Sequence, residues 1–201
     1  MMEQPVGARR ASIGARRNPA SEKAILDAAA AILAEGGLSG FSIEAVARRA
    51  RAGKPTIYRW WPNRTALLLD VYHRSKHVIP DPDTGTLEGD ARMFLTNLLD
   101  FWNDPANGTV FRSIIAEAQS NADAMAALQA YLDDRHAYLA GIIDRARARG
   151  EVRADLDSTA LGEWLVSFAW HRLLTDRIET SPAEIETVIK TFAAGAAPTS
   201  K

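Results

Sequence analysis

Lys54, Pro55, Thr56 and Tyr58 follow directly on Gly53, and their types suit recognition rather than bond making. A lysine reaches guanine acceptors or a phosphate, a proline ring and a threonine methyl touch a thymine methyl, and the Thr56 hydroxyl bonds a base or backbone oxygen. Tyr58 points away from the face marked by Ile57, which leaves its hydroxyl for a phosphate. Arg64 stands beside a helix start at Asn63, where backbone amides and the helix dipole favour the same anion. Other chemistry lacks its parts. The 201 residues include no cysteine, so disulfides, thiolate zinc sites and cysteine nucleophiles are excluded. There is no Ser-His-acid set, metal-ligand cluster or phosphate-binding glycine loop. Only His73 and His77 of the four histidines have the i, i+4 spacing of a helical metal pair, and no third ligand accompanies them. No catalytic residue, metal or cofactor is expected.

The net charge of −1 conceals an asymmetry. Residues 1 to 78 hold thirteen Lys or Arg against six Asp or Glu, and the remainder holds eleven against nineteen. A basic first third beside an acidic body suits a DNA-reading head on a body that does not touch DNA, because phosphate neutralisation supplies most sequence-independent affinity. A solvated charged surface would carry the same charges. No apolar run is long enough for a membrane span, and the Arg-rich beginning lacks the apolar stretch of a secretory signal, so a cytoplasmic protein is expected.

Helical periodicity supplies the elements that must hold these residues. A basic arm over 1–17 has no apolar period and reads as disordered. The first helix starts at Asn18 and Pro19, buries Ile25, Ala28, Ala29, Ile32 and Leu33, and stops at Gly36 and Gly37. Ser42 caps a second helix with Ile43, Val46 and Ala47 inward, ending near Ala50; Gly53 caps a third with Ile57 and Trp61 inward. Asn63 caps a fourth that runs towards His77. Beyond the turn-rich 80–85 stretch, five amphipathic helices are expected at about 86–103, 105–120, 121–149, 158–177 and 182–195. Ser181, Pro182 and Glu184 make a capping box for the last. No segment alternates with period two, so the class is all-α. Helix, three-residue turn, helix between Ser42 and Arg64 is a helix-turn-helix, whose second helix projects its N-terminal side chains into the major groove.

The run from Gly53 to Leu67, G-K-P-T-I-Y-R-W-W-P-N-R-T-A-L, resembles the recognition helix and following helix start of TetR-family regulators. The resemblance is strong from Ala20 to Tyr72 and extends over the rest only in layout. It implies that Lys54, Pro55 and Thr56 face the groove, that Tyr58 and Arg64 hold phosphates, and that Trp61 is the inward aromatic. Trp60 matches a ring near the DNA backbone, although it equally suits a cover on the apolar neck between domains. Ser42 and Arg51 complete the expected DNA-contacting set. Arg51 stands where the family usually has glycine, at a cost of about 1 kcal/mol if φ is positive, which a cation on the DNA face could offset. Gly53 replaces the usual serine cap. Glu44 would be repelled by phosphates and is read as setting orientation.

The resemblance also implies a head over 18–64, a linking helix over 63–79, an effector-binding and dimerisation domain over 80–196 and a short disordered tail over 197–201. Phe94, Leu98, Trp102, Phe111, Tyr131, Tyr138, Trp164, Phe168 and His171, with Arg112, are the candidate effector residues; an aromatic stripe is also ordinary core. The charged groups Arg112, Glu117, His136 and Glu163 fit internal ion pairs as well as a ligand. The eighth helix is apolar on more than one side, so Leu161, Leu165 and Leu173, together with Ile185, Val188, Ile189 and Phe192, are expected to pair with a second copy. The expected function is a ligand-responsive regulator, a repressor of a palindromic operator on double-stranded DNA, binding as a homodimer and released by a small lipophilic effector. A regulator or structural DNA-binding protein without an effector would have a solid body instead. A small all-α enzyme or ligand carrier would need a catalytic constellation that the sequence lacks.

Overall fold

A computed structural model describes residues 18–76 and 80–198. The Arg-rich arm over 1–17, His77 with its metal-pair spacing and residues 199–201 of the tail lie outside the described residues. Nine α-helices and no strand form among the described residues: α1 (Pro19–Gly40), α2 (Ile43–Ala50), α3 (Lys54–Trp60), α4 (Arg64–Ser75), α5 (Leu87–Asn103), α6 (Pro105–Ala118), α7 (Ala122–Ala148), α8 (Ser158–Leu174) and α9 (Pro182–Ala196).

Most helix starts follow from one side chain satisfying backbone amides that would otherwise lack partners. The side chains of Asn18, Ser42, Asn63, Thr86, Asp104, Asn121, Asp157 and Ser181 each accept from an amide two or three residues ahead. Ser181 and Glu184 close the reciprocal capping box. Gly53 caps α3 without a side-chain bond, which fits its weaker capping role. Gly37, at φ 59° and ψ −159°, breaks α1 where the glycine pair lies, and one further turn carries the chain to Gly40. The eighth helix stops at Leu174 rather than 177, because Thr175 leaves helical geometry and Asp176 takes φ 56°.

The head is α1 to α3, with Ile25, Ala29, Val46, Ile57 and Trp61 buried. The body packs α5 against α6, α8 and α9, and α7 against α6 and α8. Leu95, Phe111, Ile114, Ile143, Leu165, Leu173 and Phe192 form its centre. At the α5–α6 corner a Cβ on Gly108 would lie 2.3 Å from the Trp102 carbonyl oxygen, so only glycine allows this approach. Helix α4 belongs to both parts. It touches α1 at one side and packs against α6 and α7 at the other.

Arg51 closes α2 in the left-handed conformation, φ 52° and ψ 38°, with its amide donating to Ala47 and Arg48 carbonyls. The strain of about 1–2 kcal/mol for an L-residue there is relieved in Arg51→Gly, offset by about 0.5–1 kcal/mol of extra unfolded-state entropy. Arg51→Gly should therefore leave stability equal or raised by up to about 1 kcal/mol in urea melts. A loss of more than that amount would contradict the strain argument.

Candidate nucleic-acid interface and interior cavity

The first turns of α3 leave the head as an exposed polar ridge. Lys54, Pro55, Tyr58 and Arg59 are exposed and Thr56 half-buried, while Ile57 turns fully inward. Tyr58 is 47% exposed, so its ring and hydroxyl are open to a partner. Lys54 Nζ lies 2.7 Å from Glu44 Oε1, joining the start of α3 to the first turn of α2. Their hydrogen bond, then their mutual Coulomb attraction, holds the lysine above its usual pKa; the same bond holds the Glu44 carboxyl below its own. Both groups are exposed, so the pair is readily exchanged for another partner. Glu44 thus restrains the cation at the tip of the ridge.

Arg51 is exposed at the turn between the two helices. Ser42 is half-buried and its Oγ accepts the Ala45 amide at 3.1 Å. Trp60 is only 9% exposed; it meets Trp61 edge-on at 5.8 Å and lines the neck with Ala126, Ala127 and Ala130 of α7. Its seat corresponds to the neck-covering role rather than to a projecting ring. Trp61, 2% exposed, donates from Nε1 to Asp70 Oδ2 at 2.5 Å. Arg64 turns towards the junction of head and body. Its Nε donates to the Phe41 carbonyl at 3.2 Å, Nη2 to the Leu38 carbonyl at 3.4 Å and Nη1 to Glu117 Oε2 at 2.9 Å. A phosphate contact by Arg64 would have to share or displace these bonds. Asn63, besides capping α4, donates to the Asp123 carbonyl at 3.1 Å.

Between α4, α5, α6, α7 and α8 lies a half-open cavity of about 420 Å3, within the size range of small-molecule sites. Phe94, Leu98, Trp102, Phe111, Tyr131 and Tyr138 all reach it. The Trp102 Nε1 donates to the Tyr72 hydroxyl at 2.5 Å, and Tyr72 and Phe111 stack at 4.8 Å. Burial pushes the Tyr72 and Tyr131 hydroxyls above their ordinary pKa, so both stay neutral. The remaining effector candidates are elsewhere. Arg112 pairs with Asp176 at 2.6 Å, His171 is exposed, Phe168 lies under the Arg172 guanidinium at 5.1 Å, and Trp164 contacts Phe192 at 5.4 Å. Helix α8 instead turns Val166 and Trp170 towards the cavity. Glu117 pairs with Arg64, whereas His136 lines the cavity and lies 3.3 Å from Glu163.

Of the residues expected at a dimer surface, Leu165, Leu173, Ile189 and Phe192 are buried within the chain itself. Leu161, Ile185 and Val188 are half-buried and remain accessible, beside Trp164 at 51% exposure.

Residues 25–71 match the family of bacterial regulatory proteins designated tetR, and residues 81–192 match the tetracyclin repressor-like C-terminal domain. The chain belongs to the TetR family. The regulator is 28% identical to the HTH-type transcriptional regulator YdeS of Bacillus subtilis over 93% of this chain and 95% of that one. It is 30% identical to the HTH-type transcriptional regulator AqdR of Rhodococcus erythropolis, over 67% and 65% of the two chains. Among solved structures, the TetR-family regulator SCO0332 superposes with TM-score 0.77 at 29% identity, covering 89% of this chain and 99% of the other. FadR of Bacillus subtilis, solved in complex with stearoyl-CoA, shares the fold at TM-score 0.55 and 18% identity, over 86% and 95%. These relatives are transcriptional regulators, not enzymes, and the all-α fold with an N-terminal helix-turn-helix is theirs too.

Sequence reasoning missed five polar groups that line the regulator's cavity: His73, Lys76, Asp81, Asn97 and Arg135. Arg135 carried a signal, since it follows Tyr131 by four residues and precedes Tyr138 by three, on the same face of α7. Lys76 carried none, because the rings around it come from four separate helices.

Proposed function

We propose that this regulator binds a two-fold-symmetric DNA operator as a homodimer and represses transcription until a small, largely apolar effector enters the cavity. The observation that carries the DNA-reading half is the exposed ridge of Lys54, Pro55 and Tyr58 on a helix whose other face, Ile57, is fully buried. A helix so mounted presents its N-terminal side chains to a major groove while its body stays fixed. The head spans 18–64 and the effector and dimer domain 80–196. Such a regulator works in the cytoplasm, where its DNA is, and no described helix is long and apolar enough to cross a membrane.

Release follows from α4. Its first residue, Arg64, is tied to the Leu38 and Phe41 carbonyls of the head and to Glu117 of α6, and its last turn reaches the cavity wall at His73 and Lys76. An effector that shifts the cavity end of α4 tilts the helix that carries the head. The spacing of two heads then leaves the one-turn separation that an operator requires. The largely apolar lining of the cavity supports an effector over a regulator that works without one.

The dimer is assigned to the face of Leu161, Trp164, Ile185 and Val188, in place of the buried leucines. Trp164→Glu should turn a dimer at micromolar concentration into a monomer in sedimentation velocity, because it puts a charge at the centre of the apolar face. A wild-type monomer, or a variant that stays dimeric, would contradict this. The function itself is tested by binding to a duplex from the gene's own upstream region, followed by titration of candidate effectors; indifference to sequence would overturn it.

A further inference from the structure

Two basic side chains of the cavity, Lys76 and Arg135, have no carboxylate partner among the described residues. Lys76 Nζ sits 4.8 Å from the Tyr72 ring centre, 5.4 Å from Phe101, 5.7 Å from Trp102 and 6.0 Å from Phe111, and it donates to the Tyr131 hydroxyl at 3.3 Å. The Arg135 guanidinium lies 5.8 Å from both the Tyr131 and Tyr138 rings, with Nε buried and lacking a hydrogen-bond partner. Among the described residues no carboxylate comes within ion-pair distance of either group. The acid on the cavity wall, Asp81, is already engaged: it accepts from the Tyr138 hydroxyl at 2.7 Å and lies 4.0 Å from Arg145. Ring faces attract a cation but do not replace its lost hydration in full.

We propose that the cavity takes an organic anion with an aromatic or broadly apolar body, its carboxylate or equivalent anionic group held between Lys76 and Arg135. The inference rests on the reading of this cavity as the effector site. An anion supplies what both cations lack, and Phe94, Leu98, Trp102, Phe111 and Trp170 supply an apolar wall for the rest of the molecule. A cationic compound would be repelled by both groups. A neutral one would leave them as unmatched as before. Lys76 follows directly on α4, so an anion drawn to it acts on the helix that positions the head.

Protonation supports the same reading. Burial, with repulsion from Arg135 added, holds Lys76 at about 7. The titratable groups around it are Tyr72 and His73 of α4 and Tyr131, Arg135, His136 and Tyr138 of α7, with Asp81 across the wall; α5, α6 and α8 contribute only uncharged residues. A folded pKa below the unfolded one means that the unfolded chain holds more protons above pH 7. The penalty on stability is therefore full below about 7 and fades as pH rises towards the ordinary lysine value of 10.5. A bound anion raises the Lys76 pKa, so binding takes up a proton and weakens as pH climbs from 7 to 9.

Calorimetric titration of the full-length protein at pH 7 with three compounds of one shape tests the proposal: naphthalene-2-carboxylate, naphthalene-2-carboxamide and the cationic 2-(aminomethyl)naphthalene. The carboxylate should bind about tenfold or more tightly than the carboxamide, and the amine most weakly. In Lys76→Met and in Arg135→Gln the preference for carboxylate over carboxamide should shrink towards one, because only the anion gains from the charge that each substitution removes. Lys76→Met should also melt higher than wild type without added compound, which shows that it folds. Equal binding of carboxylate and carboxamide by the wild type, or a carboxylate preference that survives both substitutions, overturns the proposal. If all three bind alike and release operator DNA, the effector reading stands and the anion inference alone falls. If none binds at millimolar concentration, both fall.

Discussion

Lys54→Ala is expected to weaken operator binding by roughly a hundredfold, the larger effect on function of any single substitution considered. A lysine contact to a base edge or phosphate contributes about 1–3 kcal/mol, and a dimer loses it twice. The dependence on salt should flatten as well, by a slope of about 2 per dimer where the contact is to phosphate. Glu44→Gln should act in the opposite direction. It frees the Lys54 ammonium now 2.7 Å from the carboxylate and removes a negative charge from the ridge, so affinity for every duplex rises and preference among them falls. Fluorescence anisotropy at three salt concentrations measures both variants. Lys54→Ala with unchanged affinity would show that this lysine faces no DNA.

Trp61→Ala should cost about 3–5 kcal/mol of stability, the range for removing a large buried ring. The indole is 2% exposed, and its loss also strips Asp70 of the donor at 2.5 Å. The head has few other rings to close over the gap, so it should melt ahead of the body, and DNA binding should vanish at temperatures where the cavity still binds. Trp61→Phe keeps most of the apolar volume and loses the hydrogen bond, at about 1–2 kcal/mol. Urea melts followed by circular dichroism separate the two. An unchanged midpoint for Trp61→Ala would mean that the ring is not part of the head's core.

Helix positions were legible because their starts depend on single side chains. Asn18, Ser42, Asn63 and Ser181 cap the helices that their types announce. The end of α8 was not: the apolar pattern runs on to Ile178, and only the left-handed turn at Asp176 interrupts it. The reading ridge was legible in the same local way, since Ile57 and Tyr58 are helical neighbours that must point in different directions, about 100° apart. Arg64 was legible as a cation at a helix start, but its bonds to Phe41 and Glu117 depend on contacts 23 and 53 residues away in sequence.

The cavity shows where local reasoning stops. On α5, α6 and α7 the aromatic residues lie on one face, and Phe94, Trp102, Phe111, Tyr131 and Tyr138 reach the interior. On α8 apolar residues surround the helix, so spacing cannot tell the face of Trp164 and Phe168 from that of Val166 and Trp170. The apolar excess of α8 and α9 pointed to a partner, yet α5 packs on both helices and covers much of it within the chain. Trp164 keeps the part that α5 leaves open. The charge of the cavity is a tertiary property, and Lys76 acquires its meaning only from rings on α4, α5, α6 and α7.

Selection of bound duplexes from a random pool by the full-length protein, followed by sequencing, tests the central claim most directly. The recovered duplexes should be enriched in a two-fold-symmetric site whose half-sites are centred about one helical turn apart, with enrichment abolished in Lys54→Ala. A bound pool no different in sequence from the input, retained equally by wild type and variant, would contradict it.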